Sequence, residues 1–458
     1  MKKNILTLAL CLLLGSYTTH AQNEETEAQA ELGAEVNDGF VKLKSDDGLY
    51  SFRVGARAAV DGALYKDQFT DRGSGMKFSS ARIRVISKLG RKLDFKFDVD
   101  FTDKNFLKDV YLRYHTNKRG FLRVGNFAEA FSGENIQSTM DNPFISKSAT
   151  NQALAPGRSV GVAYRYYHPY FWGEAGFYGQ KVGSTETQGD KGWAASARLL
   201  ARYESKDFNI HVGGSFNYRK PNANGFSQGN DDYNRTVSLG STIESVVDDT
   251  KFLNTTINNV KNGLKWNVEA WGNYKNVYLR GEYTGAKFNR ERDFEYMFKS
   301  SLGSMMSVYF PTMESFKMLM GEDIPAKVNG FSVEGGWLLF GGDYKYSNVD
   351  ALMKRPRSNS LELVMRYNHT NLNDIEDGSI FYADKFYSNA MAQEFSIANQ
   401  SIAGGKANTF TVGLNYYATS NVIVKLNYSY QKLDQPYNHL YALDKDLHAF
   451  QARVAYEF

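Results

Sequence analysis

The stretch LDFKFDVDF, residues 93–101, alternates without a break. Leu93, Phe95, Phe97, Val99 and Phe101 are apolar, and Asp94, Lys96, Asp98 and Asp100 are charged. Only a period of two gives each class its own face, so the stretch reads as a β-strand with one apolar and one charged side. The pattern recurs along the chain after residue 40. Residues 50–64 place Phe52, Val54, Ala56, Ala58 and Val60 on one face and Arg53, Arg57 and Asp61 on the other. Residues 77–89 oppose Ala81, Ile83 and Val85 to Arg82, Arg84 and Lys88. Further segments of this kind are 92–103, 106–116, 119–127, 158–168, 170–182, 191–204, 207–219, 263–275, 276–288, 327–345, 358–370, 407–418, 421–432 and 446–458.

Most of these segments are longer than the five or six residues of an ordinary strand and match the nine to eleven or so that a tilted strand needs to cross a bilayer. Aromatic residues in the apolar register, among them Tyr164, Tyr166, Trp193, Tyr203, Tyr218, Tyr274, Trp337, Tyr344, Tyr416, Tyr428 and Tyr456, fall mostly near segment ends, as interfacial girdles do. A mean hydropathy of −0.47 does not oppose a membrane location, because only half of each barrel strand meets lipid. The 30 Tyr, 31 Phe and 40 Gly against 8 Pro suit a large all-β protein.

The N-terminus, MKKNILTLALCLLLGSYTTHA, has a basic start, an apolar core at Ile5–Leu14 and small residues Thr19 and Ala21 at a cleavage site, the pattern of a secretory signal peptide over residues 1–21. The one cysteine, Cys11, leaves with it, so no disulfide framework is expected. Residues 22–39 are acidic and poor in bulky apolar residues and read as a disordered periplasmic stub. The remaining unit is 40–458. With Lys2 and Lys3 removed the charge is close to neutral, which gives no support for nucleic-acid binding.

Connections alternate in length. Short turns at Gly90, Asn117–Lys118, His168–Pro169, Ser205–Lys206, Lys275–Asn276 and Thr419–Asn421 interleave with longer loops at 65–76, 128–157, 183–190, 220–262, 289–326, 371–406 and 433–445. This asymmetry is that of an outer-membrane barrel with periplasmic turns and external loops. Both chain ends on the periplasmic side require an even strand number. The reading is sixteen, with 327–345 as one strand followed by a periplasmic connection through Pro356. Eighteen would need a strand hidden in 289–326, around MMSVYFPTM. Closure is obligatory, since an open edge in hydrocarbon leaves backbone groups unpaired. At this size the lumen is an aqueous channel, and the charged faces line it.

Taking alternate residues inward gives a wall with more basic than acidic groups: Arg53, Arg57, Arg82, Arg84, Lys88, Lys96, Arg123, Arg165, Arg198 and Arg202 lead the basic set, which also includes Arg113, Arg219 and Lys265. Guanidinium forks suit carboxylate and phosphate oxygens, so such a wall offers an anion path. The same charges would equally hydrate the wall or pair across strands. The loop 128–157 carries Phe131, Ile136, Phe144, Ile145 and Leu154, apolar anchors that need a surface. Folding into the barrel as a constriction and covering a neighbouring subunit are the two options.

The blocks FSSARIRVISKLGRKLDFKFDVDF (78–101), DVYLRY (109–114), LRVGNFAEAFSGENIQST (122–139) and LAPGRSVGV (154–162) together resemble the phosphate-selective porin O and P family, with weaker likeness in LELVMRYN, TFTVGLNYYATSNVIVKLNYSY and FQARVAYEF. The resemblance implies a sixteen-stranded homotrimeric porin whose third loop folds inward. It implies an arginine ladder, matched by Arg82 and Arg84, and a basic position after the third loop, matched by Arg158. The loop itself holds Glu129, Glu134 and Asp141 against Lys147, fewer cations than phosphate-selective members favour.

The expected function is therefore an outer-membrane porin of a Gram-negative bacterium, passing small anionic or neutral hydrophilic solutes passively. The alternative is a barrel whose large external loops bind a partner or glycan. No enzyme, cofactor or metal is expected. GFSQG (225–229) has the G-x-S-x-G form but sits in a loop-forming composition, not between a strand and a helix. The histidines show no i, i+4 pair.

Overall fold

In the computed structural model the described residues are 32–37, 40–183, 190–223, 235–299, 311–320, 323–375, 401–434 and 444–458. The strands in chain order are β1 (Leu32–Asn37), β2 (Phe40–Ser45), β3 (Tyr50–Lys66), β4 (Gly75–Leu89), β5 (Leu93–Asp100), β6 (Leu107–Asn117), β7 (Gly120–Ala128), β8 (Arg158–Tyr167), β9 (Phe171–Tyr178), β10 (Trp193–Glu204) and β11 (Phe208–Lys220). They continue with β12 (Val237–Ser241), β13 (Leu253–Ile257), β14 (Val260–Tyr274), β15 (Val277–Arg290), β16 (Ala326–Phe340), β17 (Tyr346–Ser347), β18 (Leu352–Met353), β19 (Ser360–Asp374), β20 (Ile402–Tyr417), β21 (Val422–Leu433) and β22 (Asp446–Glu457).

Sixteen of these, β3–β11, β14–β16 and β19–β22, pair antiparallel with their neighbours into a closed barrel. Closure runs between β22 and β3 from His448↔Lys66 to Glu457↔Arg57. No edge of the ring is left to hydrocarbon, which is the condition for crossing it. No helix among the described residues is long and apolar enough to cross a membrane; the wall crosses with strands. The alternation expected from sequence holds. Leu199, Val268, Leu279 and Phe450 are exposed on the outer face, with Trp193, Tyr203, Tyr274, Trp337 and Tyr456 near its margins.

Two expectations need correction. Within 22–39, read as disordered, Leu32–Asn37 forms β1, paired with β2 from Leu32↔Ser45 to Asn37↔Phe40. β2 in turn pairs with β3 from Val41↔Val54 to Lys44↔Ser51. β3 runs on past the end of β22, and β2 takes up the edge that would otherwise stay unpaired. The signal segment lies outside the described residues. Secondly, the strand expected over 327–345 ends at Phe340. Gly341 and Gly342 both have left-handed φ values, +107° and +101°, and a Cβ on Gly341 would collide with Ser360. These two glycines turn the chain inward, so Tyr344, read as a girdle residue, is buried and donates to Glu362 Oε1 at 2.7 Å.

Candidate functional site

The inward faces divide the barrel into two sectors. On β16 and β19–β22 almost every inward residue is buried, including Ser332, Glu334, Glu362, Arg366, Thr411, Asn415, Lys425 and Arg453, and most of those on β10, β11, β14 and β15 are buried too. On β3–β6, by contrast, Arg53 and Lys88 are exposed, and Arg82, Arg84, Lys96 and Arg113 keep contact with solvent. Three insertions seal the first sector.

The first is the loop between β7 and β8, with α1 (Gly133–Ile136) and α2 (Ala149–Leu154). Its root is Glu129, wholly buried, which takes bonds from Ser159 (2.6 Å), Ser196 (3.0 Å) and Asn217 (2.7 Å) and pairs with Arg219. The backbone N–H groups of Gly133 and Glu134 donate to Glu269 (2.6 Å) and Glu282 (2.9 Å) on β14 and β15. Thr150 meets Thr370, Asn415 donates to the Pro143 carbonyl, and Lys265 donates to the Leu154 carbonyl, each at 2.8 Å. The loop thus crosses the lumen, and its apolar anchors pack inside: Phe144 under the Arg366 guanidinium, 4.1 Å from its ring centre, and Leu154 in the core cluster.

The second is the external hairpin β12–β13. Leu239, Ile243, Phe252, Leu253 and Ile257 join Leu154, Phe288, Val328, Leu372 and Leu447 in one buried cluster. Glu244 of this hairpin pairs with Arg366 at 2.7 Å, and Gln431 and Gln451 donate to the Ile243 and Glu244 carbonyls. The third is the periplasmic connection 341–359, which folds upward into the barrel. Arg165 and Trp172 donate to the Val349 carbonyl (3.2 and 2.8 Å), Arg202 to that of Asn348 (2.7 Å) and Arg198 to that of Ala351 (3.3 Å). Tyr344 and Met353 pack with Phe144, Trp271 and Tyr278.

These contacts reassign part of the expected anion path. Arg165, Arg198 and Arg202 are buried and hold the periplasmic connection; they do not line water. Arg123 lies 3.9 Å from the Phe127 ring centre and pairs with Glu174 at 2.5 Å. Arg57 is buried between Glu457 (2.8 Å) and the loop hydroxyls of Ser138 (3.2 Å) and Thr139 (3.4 Å). In the loop, Glu129 and Glu134 are anchors and not constriction charges: Glu134 accepts from Ser148 N (2.7 Å) and Ser148 Oγ (2.6 Å). Burial works to raise the Glu134 pKa, but Arg366, Arg280 and the Ser148 donors outweigh it and hold it below the ordinary carboxylate range.

The remaining site residues come together in the open sector. Arg82 pairs with Asp100 (2.7 Å), Arg84 with Asp98 (3.1 Å) and Glu457 (3.0 Å), and Lys96 (2.6 Å) and Arg158 (2.8 Å) share Asp109. In the three arginine–aspartate pairs the cation stands toward water and the carboxylate behind it, while Lys96 and Asp109 are about equally exposed. The Arg158 side chain is 40% exposed against 16% for Asp109, and Arg84 is 27% exposed against 1% for Asp98. Lys147 donates to the Asn135 carbonyl at 2.7 Å; burial pushes its pKa down to about 8, with Glu134 opposing and Arg158 adding to the shift. Asp141 lies 3.3 Å from Arg355, and burial raises its pKa against that cation. Arg355, also 3.2 Å from Glu457, was missed in the sequence because it belongs to the folded-in connection. GFSQG lies outside the described residues. Among those described, no group of three or more His, Cys, Asp or Glu is placed to hold a metal.

A family model described as phosphate-selective porin O and P matches residues 52–458. A comparison with curated protein sequences returned no match. Among solved structures, a loop L8 deletion mutant of OmpT, an outer membrane protein of Vibrio cholerae, aligns with a TM-score of 0.51 at 13% identity, covering 90% of this chain and 100% of that one. An anion-selective porin from Comamonas acidovorans aligns with a TM-score of 0.48 at 12% identity, covering 89% and 100%. At such identities the first likeness speaks for the barrel fold alone.

Proposed function

We infer, from a chain that belongs to the phosphate-selective porin O and P family and closes into a sixteen-stranded barrel, an outer-membrane porin whose solutes pass along one sector of the lumen with a preference for anions. The protein is a porin channel for solute diffusion. The anion preference rests on one observation: in the Arg82–Asp100, Arg84–Asp98 and Arg158–Asp109 pairs the cation is the more water-facing member and its carboxylate is screened behind it. A small anion moving along this face meets guanidinium forks whose charge is only partly spent on the wall. The assembly expected of the family is a homotrimer seated in outer-membrane lipid, reached after export and signal-peptide cleavage in a Gram-negative cell. The reading includes no catalysis, cofactor or nucleic-acid partner. Reversal potentials across a planar bilayer under a KCl gradient test it: an anion-favouring sign supports the proposal, and a cation-favouring sign overturns it.

A further inference from the structure

The external mouth contains a cavity of about 590 Å3 above the third loop, bounded by residues that follow β9, by the ends of β11 and β14, and by the β12–β13 hairpin. Its lining carries Lys181, Arg219, Lys251 and Lys265 and, among the described residues, no carboxylate. Arg219 spends part of its charge on the buried Glu129, and Lys265 donates to the Leu154 carbonyl. Lys181 and Lys251 are more open to solvent than Arg219 and Lys265, although the Lys181 ammonium itself is turned into the cavity mouth, near Gly157. Gln180 also lines the cavity, and its amide nitrogen is buried without a hydrogen bond. Desolvation, and then the Arg219 cation beside it, hold the Lys181 ammonium below the ordinary lysine range. Four cations around one cavity repel one another, and an anion between them relieves that repulsion.

The cavity adjoins the cations of the open sector. A Cβ on Gly157 would stand 4.0 Å from the Lys181 ammonium, and Gly157 immediately precedes Arg158. Its volume falls in the range of roughly 300–1,000 Å3 typical of small-molecule pockets, well above what a bare inorganic anion fills. The unpaired amide and the apolar wall at Leu239 suit the body of an organic molecule, and the lysines suit its charged end.

We propose that this cavity is an external capture site for a hydroxylated organic anion of the size of a sugar phosphate. The site deepens the anion-preferring reading and rests on it for the passage that follows capture. Calorimetry on the full-length protein in detergent at low ionic strength, with glucose 6-phosphate as the probe, tests it. The expected result is saturable binding, tighter than that of inorganic phosphate and absent for glucose. Lys181→Ala with Lys251→Ala should weaken it by about tenfold or more, since each removes a charge-assisted contact. Retained heat-modifiable mobility on electrophoresis would show that the variant still folds. In bilayers, glucose 6-phosphate should interrupt the current when added to the external side and not to the periplasmic side. Absence of binding, binding no tighter than that of inorganic phosphate, or equal affinity in the double variant overturns the site. A channel that conducts with anion preference but binds no glucose 6-phosphate sinks this site alone, whereas binding without conductance sinks the porin reading and leaves the site.

Discussion

The sealed sector, centred on β10 to β22, and the open sector, β4 to β6 with the start of β8, are made from the same alternating strands, yet their charges do different work. In the sealed sector Arg198, Arg366 and Arg453 are buried against Glu269, Glu244 and Asp61, and many bonds end on inserted backbone. In the open sector Arg84 and Arg158 pair with carboxylates but remain in water. A buried ion pair contributes little net stability but is costly to break, since the survivor is left charged and dry. A half-exposed pair can lose one member at small cost. The inward charge pattern therefore does not mark a pore by itself; what lies in front of it decides.

The most direct way to break this comparison is to remove a seal. Replacing residues 344–353 by a short turn takes away the backbone that Arg165, Arg198 and Arg202 hold. Single-channel conductance should rise roughly severalfold, toward that of an unobstructed sixteen-stranded bore. An unchanged conductance would mean that the connection does not limit flow.

Next in size are paired substitutions, one in each sector. Glu129→Ala strips the partner from Arg219 and an acceptor from Asn217 and Ser196, and should cost about 3–5 kcal/mol in unfolding by urea from lipid vesicles. Arg158→Ala should cost about 1 kcal/mol or less in the same assay. Equal losses would erase the distinction between the sectors. Arg158→Ala should instead move the reversal potential toward cations, and an unmoved potential would take Arg158 off the path.

The smallest expected effect is a titration. With its pKa pushed down to about 8, Lys147 is charged at pH 7 and largely neutral at pH 9. Raising the pH across this window removes a cation beside Arg158, so anion preference should fall as pH rises. Lys147→Met should flatten that dependence; a flat profile in the unmodified protein would remove Lys147 from the path.

Strand number, closure and facing were legible because they rest on a local period: Asp94 and Phe95 already separate lumen from lipid. Of the three seals, the third loop was marked by its apolar anchors; the other two were not legible, because their evidence is long-range. Tyr344 looks like one more girdle aromatic until Gly341 and Gly342 bend the chain beneath it. Ile243, Phe252 and Ile257 lie in 220–262, read only as a long external loop, and which surface receives them depends on the whole ring. Arg165, Arg198 and Arg202 satisfied the alternation rule, and only the carbonyls opposite them show that they are clamps.

The seam where the ring shuts carries a practical consequence. Phe458 exchanges both backbone hydrogen bonds with Ala56, each at 3.0 Å, and β2 occupies the same margin of β3 from Val54 downward. Any peptide fused after Phe458 would emerge against β2 and compete with it for that margin. An affinity tag or reporter joined there should disturb the zipper that completes the cylinder, so a handle is better carried upstream of Leu32 or at the tip of an external loop.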